Sequence, residues 1–205
     1  MTILQNTLNH LLENVIPASQ DYIAAEEKLS RAFNNSPNRD DPHTWQKEAA
    51  GAKRNAANLA IAIDGLADRA AKETGISKSQ IRRELRPLCL FGAGGYLRED
   101  AHDRVRGVAN IYKHDEANDT SIPISSSGEV LAVGLGYGLD AFGVGKMSGP
   151  EVLVGRDPEN QKKFLGDFLA AITAWFAWLH AKGVDVSDHP VKLCGVQVNP
   201  APVSL

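Results

Sequence analysis

The chain lacks the raw material for several functions. Cysteine occurs only twice in 205 residues, at Cys89 and Cys194. Two distant cysteines build neither a disulfide scaffold nor a metal framework. Neither has a thiol-activating neighbour in sequence, so both are expected as buried apolar filler. Long apolar runs are missing too. The longest, from Phe164 to Leu179, is interrupted by Gly166, Asp167 and Thr173, too short and too polar to span a bilayer. Met1 to Asn6 shows no positive region ahead of an apolar core, so a cytoplasmic protein without a secretory leader is expected. Charge of one sign is scarce as well. A net charge of −3 gives the whole molecule no nucleic-acid footprint. The densest basic patch, from Ile81 to Arg86, reads as the solvated face of a helix.

Complete cofactor and catalytic motifs are absent. Gly136-Tyr-Gly138-Leu-Asp-Ala141 has the letters of a dinucleotide fingerprint. That fingerprint needs a helix opening on the glycines to hold a pyrophosphate, and Gly143, Gly145, Gly149 and Pro150 prevent one. Gly145-Lys146 is the end of a phosphate loop without its beginning: Asp140 and Met147 stand where glycine and Ser or Thr are required. The histidines (His10, His43, His102, His114, His180 and His189) form neither H-x-x-x-H nor H-E-x-x-H. His102 and His114 are twelve apart, too far along one helix to share a metal ion. No nucleophile elbow occurs. These residues imply no metal and no cofactor.

What is present specifies helices. The length suits one domain with a sizeable core. Ile3, Leu4, Leu8, Leu11, Leu12 and Val15 keep helical spacing until Pro17 breaks or restarts it. A second run, with Tyr22, Ile23, Leu29 and Phe33, ends at the turn-rich 34–38. Asp41-Pro42 predicts a cap and a long helix to Thr74, stopped by Gly75. Within it Ala52, Ala56, Leu59, Ile63, Leu66 and Ala70 form a seam whose alanines admit a close neighbour. Ser77-x-x-Gln80 is a capping box for the next helix, and 91–95 reads as a flexible glycine break. Glu129 to Val133 and Glu151 to Val154 read as short strands around a glycine-rich insertion, Gly134 to Gly149. The apolar side chains of that insertion suggest packing on this bundle or on another subunit. Asp157-Pro158 predicts the start of the most apolar helix, ended by Gly183; Val191 to Val198 alternates weakly, as a late strand would. The expected fold is mainly α: a single domain over 1–205, a bundle of four or five helices, with a small β-hairpin insertion at about 120–155 before the last long helix.

The most informative stretch is Arg106-Gly-Val-Ala-Asn110-Ile-Tyr-Lys113-His114. On a helix, Val105, Val108, Ala109, Ile111 and Tyr112 share one side. His102, Asp103, Arg106, Asn110, Lys113 and His114 share the other, and Arg104 falls outside that polar arc. Three readings of that polar side are open: a solvated face, a site for an anion or phosphodiester, and a buried polar network.

The same run resembles the Asn-x-x-Lys-His segment of several small helical bacterial families, and loosely the Arg…His motif of the HEPN superfamily. Seven residues separate Arg106 from His114, more than is usual in that motif. The resemblance implies a helical bundle in a bacterial defence or toxin–antitoxin setting, with Arg106 and His114 as the active pair and Asn110 and Lys113 beside them. Many such proteins are metal-independent ribonucleases and others are non-catalytic partners. Two function classes follow. One is a binding or assembly module, as a homodimer or with a protein partner. The other is a ribonuclease in which Arg106 stabilises phosphate charge and His114 moves protons.

Overall fold

The computed structural model describes residues 4–91, 95–114, 123–134, 149–156, 161–187 and 191–199. Helices dominate it, as composition and periodicity require. α1 (Gln5–His10) runs through a π-helical turn (Leu11–Val15) into α2 (Ile16–Asn35), where Pro17 occupies the first turn. It follows directly on the π-helical turn, whose widened pitch carries the Ile16 amide back to the Leu11 carbonyl. The chain therefore continues in one direction where the sequence admitted a break.

Asp41 does cap, accepting a hydrogen bond from the His43 amide at 3.0 Å. It caps a 3₁₀ turn (Pro42–Thr44), and α3 (Gln46–Thr74) follows. Gly75 ends α3 with φ +73°, the left-handed conformation glycine adopts without penalty. All six residues of the alanine–leucine seam are fully buried. α3 is the central strut: it packs on α2 along one side and on α5 along another. α4 (Lys78–Leu85) is capped by Ser77, whose hydroxyl accepts from the Gln80 amide at 3.2 Å.

A 3₁₀ turn (Arg86–Leu88) at Pro87 leads to β1 (Leu90–Phe91), paired antiparallel with β2 (Tyr96–Leu97). The glycine break is thus flanked by a small hairpin. α5 (Ala101–His114) follows. β3 (Val130–Gly134), β4 (Pro150–Val154) and β5 (Lys162–Lys163) form one antiparallel sheet in that order, which matches the expected β excursion. Residues 135–148 of the insertion, with both glycine motifs, lie outside the described residues, as do 157–160.

α6 (Phe164–Ala181) starts after β5, six residues beyond Pro158, and Lys163 precedes it as the cap. It is buried nearly all round, not on one side. Among the described residues it is the one helix long and apolar enough to cross a membrane, and most of it is buried inside the protein. Glu84 binds it to α4, accepting from Trp178 Nε1 at 2.8 Å and lying 3.0 Å from Lys182 Nζ. The chain end expected as one strand is a hairpin, β6 (Lys192–Leu193) and β7 (Val196–Gln197). Its turn places Cys194 at φ +50°, exposed, so only Cys89 is the buried filler expected of both.

Candidate functional site

α5 is a helix of two halves. From Ala101 to Val105 every residue is buried, although three of the five are polar or charged. Burying charge is costly unless it is paired and hydrogen-bonded. Arg104 meets that condition through Asp167, which projects from the apolar wall of α6 and is fully inaccessible. Arg104 Nε and Nη2 donate to the two Asp167 oxygens, both at 2.8 Å, a forked contact that fixes orientation as well as charge. Arg98, just before α5, donates from Nε to Asp167 Oδ1 at 2.7 Å and from Nη2 to the Lys163 carbonyl at 3.0 Å. One carboxylate therefore clamps both ends of the 98–104 segment to the first turns of α6. Asp103, also buried, accepts from Arg86 Nε at 2.9 Å.

His102 is different. Its ring is 2% exposed, and neither ring nitrogen has a hydrogen-bond partner. The ring lies 6.2 Å from that of Trp175, whose indole N–H is also unpartnered. Burial pushes the imidazole down to about 4, against the pull of Asp103 and Asp64 and with help from Arg82 and Arg106. It is a neutral core histidine.

The C-terminal half holds the residues singled out by sequence. Arg106 and Asn110 are half-buried; Tyr112, Lys113 and His114 are exposed. Lys113 Nζ lies 3.1 Å from Asp64 Oδ2, while Arg82 Nη2 takes the other oxygen at 3.1 Å. Asp64 is buried and serves two cations from two helices, joining α3, α4 and α5. Arg82, on the basic stretch expected to be solvated, is thus held in this inter-helix network. Arg106, Asn110 and His114 are spaced by four residues, so they form a stripe about 12 Å long along the axis. Lys113 and His114 also sit in the last turn, where positive charge suits the helix dipole.

His102 and Asp103, assigned by sequence to the polar side with these four, are instead core residues. Arg104, which fell outside that side, is the most constrained cation of the helix. The polar side is thus divided: a buried network at its start and an accessible stripe at its end. A cavity of about 290 Å³ lies at the opposite end of α5 from His114, lined by Arg86, Pro87, Leu97, Glu99 and Asp100.

A second buried polar group went unnoticed in the sequence. Glu26 on α2 accepts from Tyr22 Oη at 2.8 Å and from the Val152 amide at 2.9 Å. Lys163 Nζ lies 2.8 Å from Glu151 Oε2, and both residues are buried. Burial and the Glu26 carboxylate raise the Tyr22 phenol well above its ordinary value. This group ties the β3–β4–β5 sheet to α2 and α6. The chain matches no family model, no curated protein and no solved structure.

Proposed function

We propose that this protein is a binding or assembly module of the cytoplasm that presents the C-terminal half of α5 to its partner and carries out no chemistry there. The reading rests on one observation above all: the helix is anchored by a buried clamp at one end and offers half-buried and exposed polar side chains at the other. Such a helix is a rigid platform whose backbone loses little freedom on binding. Arg106, Asn110, Lys113 and His114 are spread along it, and Lys113 already spends charge on Asp64. General acid–base work needs its groups within hydrogen-bond reach of one reacting centre.

A metal-independent ribonuclease is the second reading. It is favoured by the placement of all four residues on the accessible part of one helix, where two copies could face one another across a groove. A fluorescence-quenched RNA incubated with the protein in EDTA separates the two. The binding reading expects no cleavage above the protein-free control. Cleavage that disappears in Arg106→Ala and His114→Ala would replace it with the ribonuclease.

A further inference from the structure

We infer that the β1–β2 hairpin and the cavity beside it form a self-complementary surface that docks a second copy of this chain. The inference goes beyond the assembly reading above: this surface lies at the opposite end of α5 from the presented stripe. Four large hydrophobic side chains are exposed among the described residues, and three of them, Leu90, Tyr96 and Leu97, belong to this hairpin of two two-residue strands. Exposed apolar side chains scattered singly need no explanation, whereas a cluster marks a contact site. Leu90 and Leu97 are direct cross-strand partners, so they share one face of the hairpin.

Leu97 also lines the 290 Å³ cavity, where Pro87 adds a second apolar wall. The remaining lining residues are one cation, Arg86, and two anions, Glu99 and Asp100. Arg86 is 54% exposed even while bound to Asp103, so it can meet a second carboxylate. The patch therefore has an apolar centre, a hollow, and both signs of charge at its rim.

A contact between identical surfaces about a two-fold axis demands that combination: whatever one copy offers, the other must receive. With the axis near Leu97, the exposed leucines of the two copies meet one another. Arg86 of each copy then faces Glu99 and Asp100 of the other. A purely acidic or purely basic partner would meet like charge at one side of the rim. A second copy does not.

Sedimentation equilibrium of the full chain tests this, from low micromolar to near-millimolar concentration, on wild type, Leu97→Asp and Glu99→Lys. Both positions are exposed, so the variants keep their fold, which circular dichroism and the melting temperature check. The expected result is a wild-type dimer whose dissociation constant rises roughly tenfold or more in each variant. A wild-type monomer over the whole range overturns the proposal. So does a dimer that either variant leaves unchanged. A monomer here would leave an uncleaved RNA standing as support for the binding module, and RNA cleavage would leave this surface standing, so the two fail separately.

Discussion

Mild acid should destabilise this protein through His102. The imidazole is neutral in the folded state because burial holds its pKa down at about 4, against an unfolded value of 6.5. Between those values the unfolded chain binds a proton that the folded chain refuses. Stability is therefore lost as pH falls from about 6.5 towards 4 and is fully present above that window. The gap of roughly 2.5 pKa units corresponds to about 3 kcal/mol at the acid end, and about 1.4 kcal/mol is already gone at pH 5.5. That is a large fraction of the ~5–15 kcal/mol that holds an ordinary domain together. Urea denaturation at a series of pH values measures it, with His102→Gln as the control that cannot titrate. Carboxylates titrating in the same range contribute equally to both proteins, so the difference between the two curves belongs to His102. A wild type and a variant that lose stability in parallel between pH 7 and pH 4.5 would refute the reasoning.

Other perturbations have equally definite outcomes. Asp167→Asn keeps the shape of the clamp but leaves Arg98 and Arg104 buried without their counter-charge, and should cost about 3–5 kcal/mol in chemical denaturation. Trp175→Ala empties the middle of α6 and should also cost about 3–5 kcal/mol, whereas a loss below ~1 kcal/mol would mean the surroundings collapse into the space. Gly75→Ala forces a Cβ into the left-handed region at the end of α3, and should lower stability by about 1 kcal/mol although nothing crowds the position.

Periodicity made the helices legible because each packs through a stripe that repeats at helical spacing. α3 is the clearest case: its seam could be written down residue by residue, and Gly75 marked its end. Periodicity failed where a helix is covered on more than one side. The polar residues at the start of α5 stayed open between a solvated face, a binding site and a buried network because a helical wheel cannot say which element lies over them. One signal was present. Asp167 is a lone acid in a strongly apolar helix, and such an acid must find a buried cation. Arg98 and Arg104 are distant in sequence, so only the tertiary fold identifies them. The same holds for Glu26, which bonds Val152 across 126 positions. The late start of α6 has a local reason: β5 pairs with β4 through Lys162 and Lys163, and that pairing claims the residues a proline-led helix would have used. The accessible stripe was legible because Arg106, Asn110, Lys113 and His114 carry their chemistry in one short run.

The division of α5 into a clamped half and a presenting half is tested most directly by unfolding Arg104→Ala and His114→Ala side by side. Arg104 is 9% exposed and doubly bonded to Asp167, so its loss should cost roughly 3 kcal/mol or more. His114 is exposed at the helix end, so its loss should stay within about 0.5 kcal/mol. Equal losses, or a larger loss at His114, would contradict the account.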